Sequence, residues 1–98
     1  QEGKLTIKAI IRAKRDFNGV MHPIIFFSNV EANLGYLETL SIGGHGEASI
    51  DCYRNTEQPN YKILEEGRKL LIKYGYDLNS EIIFRQKLPV NFRKECWA

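Results

Sequence analysis

The feature that most constrains this chain is an alternation of apolar and polar residues near its amino end. In KLTIKAIIRAK, residues 4–14, apolar side chains occupy every second position, and Ile10 is the exception. A period of two is typical of a strand with one buried face. The pair Asn18-Gly19 and the apolar run PIIFF follow. Because both turn residues can adopt positive φ at low cost, this arrangement predicts a β-hairpin.

Two further strands are predicted on either side of a glycine pair. YLETLSI, residues 36–42, ends at Gly43-Gly44 and is interpreted as the third strand. Beyond the glycines, ASIDCY, residues 48–53, again alternates, with one set of positions apolar or small and the other mostly polar. This pattern predicts a fourth strand that returns after a turn formed by GGHG.

From Pro59 to Tyr74 the apolar period changes from two to three and four, which is typical of an amphipathic helix. Thr56 or Gln58 is the predicted cap, Pro59 fits the first turn, and Gly75 fits the left-handed position after the last turn. Gly67 lies on the apolar stripe, so the helix backbone is expected to approach the sheet closely there.

A last strand is predicted at EIIFRQKL, residues 81–88, before Pro89. The element order is then β-β-β-β-α-β. This order predicts an α+β fold, in which one long helix packs on one face of a mainly antiparallel sheet of four to five strands. At 98 residues, the chain is expected to form a single domain over residues 1–98.

Charge is unevenly distributed along the chain. Residues 1–15 carry five Lys or Arg against one Glu, residues 16–60 carry one Arg against six acids, and residues 61–98 carry eight basic residues against five acids. This distribution predicts opposite charged faces, whereas a protein that reads nucleic acid would usually be more basic overall.

Apolar runs and cysteines bear on the compartment. No run approaches the roughly 18 apolar residues of a membrane helix, and no signal-peptide pattern is expected at the amino end. The two cysteines, Cys52 and Cys96, do not make a disulfide scaffold in a chain with this much apolar content. The predicted location is therefore the cytoplasm.

Chemistry is suggested by the stretch GGHGEASIDCYRNT, residues 43–56, in which His45, Glu47 and Cys52 resemble a base, its orienting group and a nucleophile. If residues 47–53 form a strand, however, Cys52 lies more than ~15 Å from His45. No catalysis is therefore the leading expectation, and a small enzyme using His45 and Glu47 remains an alternative. No metal site or cofactor is predicted. The histidines and cysteines of the chain are His22, His45, Cys52 and Cys96, and no two of them have the close spacing that is typical of a zinc site.

An interaction surface is predicted in the acidic middle of the chain, where tyrosines accompany the carboxylates and tyrosines are favoured at interfaces. The predicted partner-binding residues are His45, Glu47, Asp51, Tyr53 and Tyr36. The predicted partner is a host or phage protein. A homodimer through an exposed edge strand such as YLETLSI is a further hypothesis.

A basic sheet face supports an alternative function in nucleic-acid binding. Lys4, Lys8 and Arg12 share one side of the first strand, and Arg85 and Lys87 share one side of the last. If the two strands are neighbours, these cations form one patch that could contact phosphates. No aromatic run of the kind found in RNA-recognition sheets accompanies them.

The segment GGHGEASIDCYRNT, the helix ILEEGRKLLIKYGYDL and the strand ending in FRQKL resemble short uncharacterised proteins of phages and prophages, with a G-x-H-G-E segment and a closing G-Y-x-L turn. The resemblance covers roughly the second half of the chain. It implies an accessory or host-interaction protein and supplies no active-site residues. The leading hypothesis is a non-catalytic interaction protein, encoded by a phage or mobile element, that binds a host macromolecule such as a defence or nucleic-acid-processing factor, with inhibition of that macromolecule as an open alternative to binding alone.

Overall fold

The predicted α+β fold is confirmed in the computed structural model, which describes residues 7–31, 36–79 and 82–85. The elements in chain order are β1 (Ile7–Arg15), β2 (Met21–Glu31), β3 (Tyr36–Ser41), β4 (Gly44–Ser49), α1 (Ile50–Arg54), α2 (Tyr61–Lys73) and β5 (Ile82–Arg85). The five strands form one sheet in the order β4-β3-β2-β1-β5. Strands β1 to β4 pair antiparallel, whereas β5 runs parallel to β1.

The first hairpin forms where the Asn18-Gly19 pair predicts it, with Arg15 opposite Met21. Gly19 adopts φ +82°, a conformation that side chains with a Cβ rarely take. The Asp16 carboxylate accepts hydrogen bonds from the backbone N–H groups of Asn18, at 2.9 Å, and Val20, at 3.0 Å. These bonds hold the tip of the hairpin in one conformation.

The two faces of the sheet carry separate apolar cores, because neighbouring residues of a strand point in opposite directions. One core is covered by α2 and consists of Ala9, Ile11, Ile25, Phe27, Leu40, Leu70, Leu71 and Ile82. The other is covered by α1 and consists of Ile10, Ile24, Phe26, Leu37 and Ala48, with Cys52 and Tyr53 packed against it. Ile10, the exception to the sequence alternation, is therefore a core residue of the second face.

The predicted fourth strand at residues 48–53 is wrong in its position. The strand is β4, four residues earlier, and the chain enters the short helix α1 at Ile50. Ser49 caps this helix, since its hydroxyl accepts a hydrogen bond from the backbone N–H of Cys52. The alternation of residues 48–53 gave the wrong element. Cys52 and Tyr53 both pack against the same core, and two successive residues can do so from a helix but not from a strand.

The long helix α2 begins later than predicted, at Tyr61, and its cap is Asn60 instead of Thr56 or Gln58. The Asn60 side chain accepts a hydrogen bond of 2.9 Å from the backbone N–H of Ile63. The predicted close approach at Gly67 is confirmed, because a Cβ there would lie 2.8 Å from Cγ2 of Ile11. The predicted end at Gly75 is also confirmed, with φ +91°.

The connection between the helices passes beside the second half of β1, beyond the residues of β1 that pair with β5. Ala13 and Glu57 form an isolated antiparallel bridge, in which each backbone N–H donates to the other residue's carbonyl. This bridge carries the chain from the α1 face to the α2 face. The hypothesis of YLETLSI as an edge strand is wrong, because β3 pairs with β2 on one side and β4 on the other.

Candidate interaction surfaces

His45 is held in place on the α2 face of the sheet. It lies opposite the core residue Leu40 in the β3–β4 register, so it points to the same face as α2. Its Nε2 atom and the Tyr76 hydroxyl are hydrogen-bonded at 2.8 Å, and its ring meets the Tyr74 ring edge-on with centroids 5.4 Å apart. His45 is exposed but anchored by two tyrosines from the segment that follows α2.

The five predicted partner-binding residues are divided between the two faces of the sheet. Glu47 lies two residues from His45 on β4 and shares its face, and Tyr36 pairs with Ser49 across the same hairpin. Asp51 and Tyr53 lie on α1, on the opposite face. Asp51 is largely exposed and pairs with Arg54 at 3.4 Å. The five residues therefore do not form one continuous surface.

Tyr53 packs into the structure. Its ring meets that of Phe26 edge-on at 5.2 Å between centroids, and the Arg12 guanidinium lies 5.1 Å from its centroid. An aromatic ring that packs between a core Phe and an Arg stabilises the fold, so Tyr53 has a structural role. This role was not predicted from the sequence, because the alternation of residues 48–53 placed Tyr53 on the exposed side of a strand.

Cys52 and His45 lie on opposite faces of the sheet, Cys52 on α1 against the second core and His45 against Tyr76. A strand over residues 47–53 would separate them along its length, whereas the structure separates them by the sheet itself. The Nζ atom of Lys14 lies 3.9 Å from the Cys52 sulfur. His45 is therefore not placed to act as a base toward this thiol.

Arg12, the centre of the predicted basic face, is a structural residue. Its Nε donates to the Thr56 hydroxyl at 2.8 Å and its Nη2 donates to the Thr56 carbonyl oxygen at 2.9 Å. The same hydroxyl donates to the Tyr53 carbonyl oxygen at 2.6 Å. Thr56 is buried, so this network joins the end of α1 to β1.

The other members of the basic face are less well placed to act together. β1 and β5 are neighbours, as the hypothesis requires, and Arg85 pairs with Ile10 in the register. Lys8 is half-buried. Lys4 and Lys87 lie outside the described residues. Among the described residues, α1 and the Arg12 network occupy the middle of this face.

A surface that the sequence interpretation missed lies at the end of the sheet where the β1–β2 and β3–β4 turns meet. Two shallow grooves there share His22, Pro23 and Ile42. We call this the hairpin-end surface, defined by the groove residues Lys14, Arg15, Asp16, His22, Pro23, Ile42, Lys69 and Lys73 together with the exposed turn residues Phe17 and Val20, which line neither groove. Phe17 is 100% exposed, which is unusual for a large aromatic side chain.

Charge on the hairpin-end surface is mainly positive. The groove linings contain the cations Lys14, Arg15, Lys69 and Lys73 and the acids Asp16 and Glu66. Asp16 is engaged with His22, whose Nε2 lies 2.9 Å from the carboxylate Oδ2. This hydrogen bond, together with those from the Val20 and Asn18 backbone, lowers the pKa of Asp16 below its ordinary value. The carboxylate therefore stays ionised and fixed in the turn at neutral pH.

The signal for this surface was present in the sequence. An apolar residue on each side of Asn18-Gly19, at Phe17 and Val20, cannot enter a core from a hairpin tip, and basic residues precede them at 14–15. The turn was interpreted only as a connection between strands, so this surface was not predicted. The grouping of Ile42 with Lys69 and Lys73 in one groove could not be predicted from the sequence, because it depends on where α2 crosses the sheet.

Among the residues that the structure describes, no group of three or more His, Cys, Asp or Glu side chains could hold a metal ion. Within those same ranges, neither helix has the length and apolar character to cross a bilayer. In comparisons with known proteins, no family model, curated protein or solved structure gives a significant match to this chain.

Proposed function

We propose that this chain is a non-catalytic interaction protein that binds an acidic segment of a partner protein through the hairpin-end surface. The observation that carries the proposal is Phe17, a fully exposed aromatic side chain at the tip of a hydrogen-bonded turn. Aromatic anchors at the centre of an interface contribute much of the binding energy in protein complexes. The apolar neighbours Val20 and Ile42 enlarge the area that a partner would cover.

The rigidity of the turn supports binding at low entropic cost. The Asp16 side chain accepts two backbone hydrogen bonds within the turn, and the Arg15 guanidinium donates to the Gly19 carbonyl oxygen at 3.1 Å. The same Arg15 pairs with Glu57 at 2.8 Å, which ties the hairpin to the bridge beside β1. A loop that is ordered before binding loses less conformational freedom when the partner arrives.

Charge complementarity favours an acidic partner. Ile42 lines both grooves, one of them with Lys14 and the other with Lys69 and Lys73, and all three lysines are exposed. Exposed cations around an apolar centre attract carboxylates and accelerate association, an effect that salt weakens. The partner we propose therefore has an aliphatic or aromatic residue surrounded by Asp and Glu.

The resemblance to phage and prophage proteins extends the proposal to the identity of the partner. It suggests a host or phage factor in the cytoplasm, such as a defence or nucleic-acid-processing protein, which the chain would inhibit by occupying its surface. This extension rests on the sequence resemblance alone. Neither nucleic-acid binding nor catalysis at His45 and Glu47 is favoured by a specific observation, because Arg12 is engaged in the Thr56 network and His45 is hydrogen-bonded to Tyr76.

A binding titration tests the proposal with defined peptides. Fluorescent acidic peptides carrying one central Phe, Leu or Trp are titrated with the protein, and fluorescence anisotropy is measured beside the same peptides with Ser at the centre. We expect binding only with the apolar centre, and a loss of affinity of about tenfold or more in Phe17→Ser. The matched control is Ile72→Ser on α2, which removes an apolar side chain that is 59% exposed but lies outside the groove linings.

Three outcomes would overturn the proposal. Equal affinities of Phe17→Ser and Ile72→Ser would remove the anchor. Binding to anionic phospholipid vesicles, without binding to any acidic peptide, would make the surface a membrane contact. Binding to duplex or single-stranded DNA with a steep salt dependence, again without peptide binding, would replace it with the nucleic-acid alternative.

A further inference from the structure

The outer edge of β4 is open among the described residues. β4 is the terminal strand of the sheet, and within residues 7–31, 36–79 and 82–85 it pairs only with β3. An open edge strand presents backbone N–H and C=O groups that can pair with another strand. The sequence GHGEAS has no Pro or Lys, two residues that commonly block such pairing.

The turn between β3 and β4 determines which residues present their backbone groups to the open edge. Ser41 pairs with Gly44 across a two-residue turn, and the residues that flank such a turn form a hydrogen-bonded pair. Hydrogen-bonded and non-hydrogen-bonded pairs then alternate along an antiparallel ladder. Gly44 and Gly46 therefore direct their backbone groups to β3, whereas His45 and Glu47 direct theirs outward.

We propose that β4 pairs antiparallel with β4 of a second copy of this chain, with Gly46 facing its own counterpart at the two-fold axis. In this register His45 of each copy lies opposite Glu47 of the other. Both residues direct their backbone groups outward, so each such pair forms two backbone hydrogen bonds. The result is a continuous ten-stranded sheet through the dimer.

Charge selects this register over its neighbours. Shifting the axis to His45 places two imidazoles opposite each other, and shifting it to Glu47 places two carboxylates opposite each other. Two carboxylates directly opposite each other on a sheet are destabilising, and an axis at His45 forms no imidazole–carboxylate pair, whereas an axis at Gly46 forms two.

The centre of the interface suits a close approach. Gly46 would form a non-hydrogen-bonded pair, in which Cα atoms are only about 4.5 Å apart. No side chain stands between the copies there.

Cysteine cross-linking measures the register directly. In a Cys52→Ser, Cys96→Ser background, single cysteines are placed at positions 45, 46 and 47, and disulfide-linked dimer is measured on non-reducing gels under mild oxidation. Gly46→Cys is expected to cross-link fastest, since its Cα separation falls within the range of a disulfide. A Cβ at Gly46 has room, with Thr39 Oγ1 nearest at 3.6 Å.

Sedimentation equilibrium of the unsubstituted chain provides a second measurement, which does not depend on the folding of the cysteine variants. We expect it to show a monomer–dimer equilibrium. Glu47→Lys should weaken it about tenfold, because the two-fold axis changes two pairs at once. Glu65→Lys on α2 makes the same charge change away from the edge and should leave the equilibrium unchanged.

A monomer at all concentrations up to about 0.5 mM would overturn the dimer, as would fastest cross-linking at position 45 or 47. Capture of an extended peptide by β4, without self-association, would assign the edge to a different partner and equally overturn it. The hairpin-end surface is separate, so Phe17→Ser should leave dimerisation intact. Failure of one proposal is thereby distinguished from failure of the other.

Discussion

The two faces of the sheet are closed in different ways. On one face the 13-residue helix α2 covers the core with a stripe of buried residues, Ile63, Gly67, Leu70 and Leu71. On the other, α1 has only five residues, and its cover is completed by the hydrogen bonds that join Arg12 to Thr56. An apolar stripe can therefore close a face by itself, whereas a helix of little more than one turn needs a polar network to hold it.

The largest effect is expected from Leu71→Ala on the α2 face. Leu71 is fully buried in that core, so its truncation should lower the free energy of unfolding by about 2–5 kcal/mol. Ile72→Ala, one position further along the same helix and largely exposed, should change it by less than about 0.5 kcal/mol. Urea unfolding monitored by circular dichroism measures both. Similar losses in the two variants would mean that α2 does not close the face as the structure has it.

The next effect tests the polar closure of the α1 face. Arg12→Ala leaves the hydrogen-bond acceptors of Thr56 without their charged donor, and we expect a loss of roughly 1.5–3 kcal/mol. Lys14→Ala removes a nearby exposed cation on the same strand and should cost less than about 0.5 kcal/mol. The measurement is again urea unfolding. If the two substitutions cost the same, apolar contacts alone close this face and the contrast between the faces fails.

A smaller effect, with a change of sign, probes the contact between α2 and β1. Gly67→Ala should improve helix propensity by about 1 kcal/mol but clash with Ile11, so we expect a net loss of roughly 1 kcal/mol. In an Ile11→Ala background the clash is gone, and the same substitution should become stabilising by roughly 1 kcal/mol. A double-mutant cycle in urea detects the reversal. Equal effects in both backgrounds would show that the helix does not rest on Ile11.

The smallest effect is expected at the hairpin tip, where the turn is held by hydrogen bonds to Asp16 and not by either helix. Asp16→Asn keeps an acceptor for the turn but removes the charge that faces His22. Because the folded-state pKa of Asp16 is lowered, the carboxylate stabilises the fold above its unfolded pKa of about 3.9, and this contribution is lost as pH falls through the folded pKa. The variant should be slightly less stable at pH 7 and approach the unsubstituted chain below pH ~4. A difference in melting temperature that is constant with pH would contradict this.

Much of the α2 face could be predicted from the sequence. The alternation of β1, the Asn18-Gly19 turn and the three- and four-residue spacing of α2 are local patterns with local causes, and Gly67 was expected to approach the sheet. The error at the start of α2 also has a local reason. Asn60 is as good a cap as Thr56, and only the buried hydrogen bond from Arg12 assigns Thr56 elsewhere.

The α1 face and the candidate sites could be predicted only in part. The residues 48–53 alternate like a strand, yet Ser49 caps a helix and Tyr53 packs between Phe26 and Arg12. An alternation over only six residues does not distinguish a strand from a short helix, because either element can bury one side against a core. The predicted partner-binding set was divided between two faces for the same reason.

Local patterns in the sequence predict the α+β class, the four strands before the long helix, the strand after it, and the glycine conformations at Gly19 and Gly75, but not the short helix α1. The predicted features depend on periodicity and on backbone conformations that glycine favours. Three features depend on the tertiary structure: β4 is the edge strand, β5 joins β1 in parallel, and Arg12 is hydrogen-bonded to Thr56. The grouping of Ile42 with Lys69 and Lys73 in one groove is a fourth. These outcomes depend on contacts between residues that are distant in the chain, which no local pattern encodes.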